Sequence, residues 1–309
     1  MWSVLIGMIT MMCVLVAVAF FTLFERKILG YTALRKGPNK VSVMGLFLPF
    51  ADAVKLFTKE FNIPMKGNNL VFTLSPVVNF FLKLMVWMVF PVSFAGYYFM
   101  LGVIFFLCVG SLSVYMMMAA GWSSNSKYTF LGALRSIAQT ISYEVSMVFI
   151  LLFSVYAFGT FDCFTMLQFS GWVCFLFFPL GAMWGVTCLA ETNRAPLDFA
   201  EGESELVSGF NVEYSGGGFA FVFMAEYGSI LFLSMITSLF FYGGMSLMGA
   251  MLTEVFTLKI FLFSFCFIWA RASYPRLRYN VLMDLTWKVF LPVSLSVLLM
   301  FLMMNIFIK

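Results

Sequence analysis

The stretch VLVAVAFFTLF, at residues Val14–Phe24, has an apolar side chain at every position except Thr22. A strand of a transmembrane β-barrel would alternate apolar and polar residues, because its two faces meet lipid and the barrel interior. This stretch does not alternate, so it indicates a helix. Its apolar run extends back to residue 2, and about 20 apolar residues are enough for a helix to cross a hydrocarbon core roughly 30 Å thick. The first run is therefore predicted to be a transmembrane helix.

Similar apolar runs recur along the whole chain. Of its 309 residues, 62% are hydrophobic and only 10% are charged, and the mean hydropathy is +0.99. So few charged residues cannot cover a water-facing surface, which excludes a soluble globular domain. We predict an all-α, polytopic membrane protein with a single membrane domain over residues 1–309. Its eight predicted spans are residues 2–24, 70–93, 98–119, 132–158, 171–190, 218–242, 256–274 and 281–308.

The basic residues predict the orientation of these spans. Fourteen of the eighteen Lys and Arg residues follow spans one, three, five and seven: Arg26, Lys27, Arg35, Lys36, Lys40, Lys55, Lys59, Lys66, Lys127, Arg135, Arg194, Arg271, Arg276 and Arg278. On the opposite side, only Lys259 and Lys309 lie near span ends. Because basic loops stay on the cytoplasmic or matrix side, both termini are expected on the outer side.

Metal chemistry within this chain is not expected. The sequence has no His, and its six Cys stand apart with no CxxC pair. These are the residues that bind zinc, haem and iron–sulfur clusters. If the protein takes part in redox chemistry, the metal is expected on another subunit.

A charged segment follows the first span, FERKILGYTALRKGPNK at Phe24–Lys40, and then LPFADAVKLFTKEF at Leu48–Phe61. A helix over about residues 49–61 would place its aromatic residues on one face and Asp52, Lys55 and Lys59 on the other. Such a helix is too short and too charged to cross the membrane, so we expect it in the interface plane. The pattern fits a plain anchor or the wall of a functional cavity, and the residues alone leave both open.

Two carboxylates are predicted inside spans. Glu144 lies in RSIAQTISYEVSMVF, and Glu226 lies in FAFVFMAEYGS among Phe and Met residues. A carboxylate within the membrane is costly, so it indicates a functional group facing protein or water. The alternative is a neutral Glu that is hydrogen-bonded between helices. Lys83 in span two is also charged, and its role stays open.

The acidic residues concentrate in AETNRAPLDFAEGESELVSGFNVEY, at Ala190–Tyr214. Six of the chain's fourteen acids lie within these residues, and Arg194 is their only basic neighbour in the stretch. Acids spaced this closely repel one another. A loop over about residues 191–217 is therefore either a solvated connector or a site that handles protons or cations.

These motifs together carry a resemblance to a known family. FERKILGY, RKGPNK, PFADAVKLFTKE, RSIAQTISYE, the acidic segment and MAEY occur in family order between Phe24 and Tyr227. They resemble the chain 1 family of membrane subunits of mitochondrial NADH:ubiquinone oxidoreductase, respiratory complex I. The long acidic segment makes a chance match negligible.

The resemblance implies a core membrane subunit of an H⁺-translocating NADH:ubiquinone reductase in the mitochondrial inner membrane, with both termini on the intermembrane-space side. Ubiquinone would be the substrate, and the iron–sulfur clusters and flavin would lie on partner subunits. The implied partners are the hydrophilic arm that carries the terminal iron–sulfur cluster, adjacent antiporter-like subunits and membrane lipid, with no nucleic acid.

The resemblance also assigns residues. Those matching the quinone channel are Glu25, Arg26, Arg35, Asp52, Phe57, Phe223 and Met224. Those matching a proton path toward the antiporter-like subunits are Glu144, Glu191, Asp198, Glu201, Glu203, Glu205, Glu213 and Glu226. Neighbouring carboxylates of this kind titrate as a coupled set.

Three other functions share part of the sequence pattern of a complex I membrane subunit. A membrane subunit of an energy-converting hydrogenase-type complex belongs to the same broad superfamily, but the full-length match favours the respiratory enzyme. A cation or proton antiporter would also bury Glu144 and Glu226, but should show paired broken helices in two related halves. A passive anchor for a redox arm would explain the basic segments and leave the carboxylates within the spans unexplained.

Overall fold

The computed structural model describes residues 2–91, 99–169, 171–200, 202, 207–247, 250–251 and 253–308. The helices of this part are α1 (Trp2–Thr32), α2 (Leu48–Thr58), α3 (Asn69–Val86), α4 (Gly102–Ser123), α5 (Lys127–Phe158), α6 (Cys163–Gln168), α7 (Phe178–Glu191), α8 (Gly216–Phe241), α9 (Thr253–Ser273), α10 (Tyr279–Leu285) and α11 (Leu291–Ile308). A π-helical turn, Thr286–Phe290, joins α10 to α11. Two short strands, β1 (Ser246–Leu247) and β2 (Ala250–Met251), pair antiparallel.

Within the described residues, seven helices are long and apolar enough to cross a membrane: α1, α3, α4, α5, α8, α9 and the joined α10–α11. The all-α, polytopic prediction is confirmed. The fifth predicted span corresponds to α7, whose 14 residues cover only about 21 Å at 1.5 Å per residue. Helix α1 ends at Thr32 instead of residue 24, because hydropathy marks where the chain leaves the membrane and not where helical hydrogen bonding stops.

Helix α8 is the central helix of the bundle. It packs against α1, α2, α3 and α9. About two thirds of the residues in its most apolar stretch are buried. A helix that is apolar on all sides belongs in such a position. Its Ser234 and Ser238 hydroxyls donate to carbonyls three residues earlier, so burial leaves them hydrogen-bonded. Helix α5 packs against α4, α7 and α11 beside this central group.

The connecting segments that follow spans one, three, five and seven meet at one end of the bundle. Asn125 Nδ2 donates to the Lys66 carbonyl at 3.0 Å. The Asn62 amide donates to Ser215 Oγ at 3.2 Å, and the Leu277 amide donates to the Pro196 carbonyl at 3.1 Å. The basic segments therefore share one end, as the orientation prediction requires. The side of the membrane on which this end lies stays a prediction.

Helix α2 lies across this end, between α1 and the start of α8. Gly216 begins α8 with φ +56°, and a Cβ there would lie 2.9 Å from the Lys59 carbonyl oxygen. Only glycine accepts that conformation at low cost and permits the close approach. Phe50 and Val54 on the apolar face of α2 are exposed in the isolated chain, which is what a helix in the membrane interface would show. That location stays a prediction.

Candidate functional site

An apolar groove lies between α1, α2 and α8. It has a cavity volume of about 370 Å³. The side chains that line it are Leu15, Val18, Ala19, Thr22, Arg26, Pro49, Asp52, Ala53, Lys55, Leu56, Phe57, Phe219, Ala220, Phe223, Met224 and Tyr227. Five of the seven residues predicted for a quinone channel thus surround one space. A mostly apolar groove with a few polar groups suits a small, largely apolar ligand.

Arg26 and Asp52 form the charged part of the groove. An Arg26 guanidinium nitrogen lies 2.8 Å from a carboxylate oxygen of Asp52, and the two side chains are 49% and 39% exposed. An ion pair this exposed contributes little to stability. Its effect is local, because it links α1 to α2 and places paired charges beside the aromatic wall formed by Phe57 and Phe223.

Glu25 and Arg35 do not line the groove. Glu25 is only 5% exposed. Its carboxylate accepts a hydrogen bond from the Tyr227 hydroxyl and pairs with Arg271 of α9. Neighbouring residues on a helix point about 100° apart, so Arg26 faces the groove while Glu25 faces the α8–α9 side. Arg35 is exposed in the turn after α1.

Tyr227 lines the groove but was not among the predicted site residues. It closes the MAEY motif beside Glu226, and that adjacency is the sequence signal that could have identified it. The α1 residues Leu15, Val18 and Thr22 were also missed. Their spacing of three and four continues to Arg26, so they share its helix face.

A second, enclosed space lies among α3, α4, α5, α7 and α8. Its walls include Lys83, Asn79, Asn193, Glu191 and Glu226. Lys83 Nζ lies 3.7 Å from a Glu191 carboxylate oxygen, and a guanidinium nitrogen of Arg194 lies 3.4 Å from a Glu226 carboxylate oxygen. All four side chains are at most 17% exposed. We call this space the interior cavity; it holds two ion pairs within the bundle.

Glu191 is the last residue of α7, which is not one of the seven membrane-capable helices. The charge of the nearby Lys83 ammonium affects the pKa of its carboxyl. Burial raises the pKa of the Glu191 carboxyl above its usual range, and the charge of the Lys83 ammonium opposes that rise. The two influences compete because burial disfavours the carboxylate while a nearby cation favours it.

Arg194 connects the groove to the interior cavity. Its guanidinium carbon lies 4.5 Å from the centre of the Tyr227 ring and 5.3 Å from that of Phe223, and both rings line the groove. The same guanidinium pairs with Glu226 on the cavity wall. Aromatic faces and a carboxylate therefore hold one buried cation between the two spaces. Arg194 was noted in the sequence only as the single basic residue of the acidic stretch.

The other predicted acids lie around these spaces or outside the described residues. Glu144 is half-buried on α5, within electrostatic range of Lys83 and Glu191. Asp198 and Glu213 are half-buried in the loop between α7 and α8. Glu201, Glu203 and Glu205 lie outside the described residues.

Two buried polar residues fix the loop that carries Arg194. Gln139 of α5 is fully buried, and its Nε2 donates to the carbonyls of Ala190 and Leu197 at 2.9 Å each. At the far end of the loop, the Tyr214 ring stacks on Phe72 at 4.2 Å. Burial raises the pKa of the Tyr214 hydroxyl, so Tyr214 remains a neutral hydrogen-bonding anchor at physiological pH.

No group of three or more His, Cys, Asp or Glu side chains is placed to bind a metal ion in the part of the chain that the structure describes.

Comparison with known proteins decides the family. The family model described as NADH dehydrogenase matches residues 5–302. The chain belongs to the NADH dehydrogenase family. Its relatives include proteins named NADH-ubiquinone oxidoreductase chain 1 from Aedes aegypti, Anopheles gambiae and Heterololigo bleekeri. They are 53%, 54% and 51% identical, over 99%, 98% and 99% of this chain and 97%, 96% and 98% of their own lengths. These matches confirm that the sequence of this NADH dehydrogenase family member resembles the chain 1 subunits of NADH:ubiquinone oxidoreductase.

Proposed function

We propose that this chain is the quinone-channel membrane subunit of a proton-pumping NADH:ubiquinone oxidoreductase of the mitochondrial inner membrane. Electrons would reach the quinone from an iron–sulfur cluster on a partner hydrophilic arm, since the sequence has no His and no CxxC pair. The observation that carries the proposal is the continuous contact from the groove through Tyr227 and Arg194 to the Glu226 carboxylate in the interior cavity.

The groove suits a quinone by its chemistry. A quinone has a flat ring with two carbonyl oxygens and an apolar tail. The apolar walls formed by Phe57, Phe223 and Met224 would bury the ring and tail, and Arg26 would supply a hydrogen-bond donor at the charged part. Asp52 balances that donor's charge, so the guanidinium stays oriented when no quinone is bound.

The interior cavity would couple quinone reduction to proton movement. Reduction of a quinone to a quinol takes up two electrons and two protons. New charge in the groove would act on Arg194, which is shared between the Tyr227 ring and the Glu226 carboxylate. A change there would alter the proton affinity of Glu226 and, across the cavity, of Glu191 and Glu144, because interacting carboxylates titrate as a set.

The orientation completes the proposal. The end of the bundle that carries α2 and the basic segments would face the matrix, beneath the hydrophilic arm, and both termini would face the intermembrane space. The acidic path would then lead from the quinone site toward antiporter-like membrane subunits.

The test uses Arg26→Ala in the assembled complex. We expect the quinone reductase rate to fall about tenfold or more, since a hydrogen bond from a charged group contributes about 1.5–3 kcal/mol. NADH oxidation by a hydrophilic artificial acceptor should be unchanged, because that reaction bypasses the groove. Lys27→Ala is the matched control, because Lys27 is the next residue on α1 and does not line the groove. Equal loss of both activities in Arg26→Ala would contradict the assignment.

A second test addresses coupling. Glu226→Gln preserves side-chain size but removes a titrating group, so quinone-linked proton translocation should fall. Asp284→Asn is the control, because Asp284 forms an exposed pair with Lys288 on α10–α11 at 2.7 Å. Normal proton pumping in Glu226→Gln would leave Glu226 as a structural partner of Arg194.

A further inference from the structure

Lys83 is a half-buried cation to which neither the sequence motifs nor the quinone proposal assigns a role. It lies on α3 with its side chain 17% exposed, and its ammonium faces Glu191 on α7 across 3.7 Å. A lysine inside a helical bundle is costly unless it is paired. The two residues are 108 positions apart in the chain, from 83 to 191, so the pairing exists only because α3 and α7 border the same cavity.

The interior cavity also contains polar atoms that can interact with small polar species. The side-chain oxygens of Asn79 and Asn193 accept no hydrogen bond from any residue that the structure describes, and both residues are at least nine-tenths buried. Both line the cavity, whose volume is about 30 Å³. That is enough for two or three water molecules, at about 10–15 Å³ each. Protons could therefore exchange between its carboxylates.

Three carboxylates and two cations lie in or beside the cavity. Glu191 is faced by Lys83 on α3, Glu144 on α5 and Cys188 on its own helix. It shares the cavity with Glu226 on α8, which pairs with Arg194 of the loop that follows α7. Helix α4 contributes only the uncharged Ser113, Val114 and Met117. Arg194 is already paired with Glu226, so Lys83 is the cation placed to stabilise the Glu191 carboxylate.

We propose that Lys83 is a positioning residue of the acidic path, whose ammonium sets the pH range in which Glu191 exchanges protons with the interior cavity. This inference rests on the proposed function for its consequence in pumping, but its effect on Glu191 rests on the ion pair alone. The opposing influences of burial and Lys83 on the pKa of Glu191 agree with it. Without Lys83, the carboxylates of Glu144, Glu191 and Glu226 would remain with Arg194, which already pairs with Glu226, and Glu191 would hold its proton to a higher pH.

The experiment measures the titration of Glu191 directly in the assembled complex. The carboxyl C=O infrared band of Glu191 is identified by its loss in Glu191→Gln, and its pH midpoint is then recorded in wild type, Lys83→Met and Lys83→Arg. We expect the midpoint to rise by about 1 to 3 pH units in Lys83→Met, the usual effect of losing an opposite charge at this distance. Lys83→Arg keeps the charge and should restore a midpoint close to that of wild type.

Lys259→Met is the matched control, because Lys259 is a buried lysine of the bundle. Its Nζ donates to the Tyr242 and Gly244 carbonyls at 2.6 and 3.1 Å, at the end of α8. Its loss should reduce the yield of assembled complex and leave the Glu191 midpoint in place. If Lys83→Met does not assemble, Lys83→Gln keeps a polar head group and is measured instead.

The outcomes separate the two proposals. A Glu191 midpoint that is the same in wild type and in the neutral Lys83 variant would overturn the role of Lys83. A raised midpoint together with the same shift in the pH profile of proton translocation would support both proposals. A raised midpoint with pumping that is insensitive to Glu191→Gln would support the role of Lys83 and refute the acidic path.

Discussion

Replacing Gln139 by Leu tests whether the loop between α7 and α8 must be held rigid for the site to work. Gln139 is fully buried, and its Nε2 is the donor to both the Ala190 and the Leu197 carbonyls. Leucine has a similar size but no donor. The Leu197 carbonyl would lose this partner inside the protein, at a cost of about 1–3 kcal/mol. The Ala190 carbonyl keeps the Asn193 amide as a donor. Losing its hydrogen bond from Gln139 therefore costs only about 0.5–1.5 kcal/mol.

Together these losses give about 1.5–4.5 kcal/mol of local destabilisation. Because 1.4 kcal/mol corresponds to a factor of ten, backbone amides over residues 192–200 should exchange with deuterium about tenfold faster or more. The assay is hydrogen–deuterium exchange of the purified complex followed by mass spectrometry. Quinone reductase activity should fall in parallel, because Arg194 lies in this loop and contacts Tyr227 and Glu226.

The chain provides a matched control for this prediction. Gln168 is its only other glutamine, and it is exposed at the end of α6. Gln168→Leu should change the free energy of unfolding by no more than about 0.5 kcal/mol. Unchanged exchange over residues 192–200 in Gln139→Leu would refute the reasoning, since it would mean that the two hydrogen bonds do not hold the loop.

Three further predictions address orientation, the groove and its polar wall. Val207 is 69% exposed, so Val207→Cys should react with an impermeant thiol reagent only from the matrix side; labelling from the other side would reverse the orientation. Gly216→Val places a branched side chain at φ +56° against the Lys59 carbonyl, which should cost at least about 1–3 kcal/mol and reduce assembled complex on native gels; normal assembly would show that α2 can shift. Tyr227→Phe removes the donor to the buried Glu25 carboxylate, a hydrogen bond that joins α8 to α1 beside the groove, and should raise the KM for quinone about tenfold with the artificial-acceptor activity retained; an unchanged KM would show that this hydrogen bond does not shape the groove.

The sequence determined the helices because their signal is local. Continuous apolar runs identified the seven membrane-capable helices found among the described residues. The 3.6-residue period predicted a helix over about residues 49–61, where the structure has α2 at Leu48–Thr58. The hydropathy of α7 resembled that of a span, but its helix is short because Pro179 lies in its first turn and a 3-10 turn precedes it. Proline favours the first helical turn and disfavours a helical residue before it.

The pairing of charges was decided by tertiary structure. The sequence marked Glu226 as a costly carboxylate within a span, left the role of Lys83 open and showed Arg194 only as the basic residue of the acidic stretch. It could not show that Lys83 faces Glu191, or that Arg194 lies between the groove and the interior cavity, since these contacts join helices far apart in the chain. They depend on the rotation of each helix about its axis, where one residue changes the facing direction by about 100°. The same rotation directs Arg26 into the groove and its neighbour Glu25 toward Tyr227 and Arg271. A local pattern thus determines which side chains are polar, and only the packing of all the helices determines which of them meet.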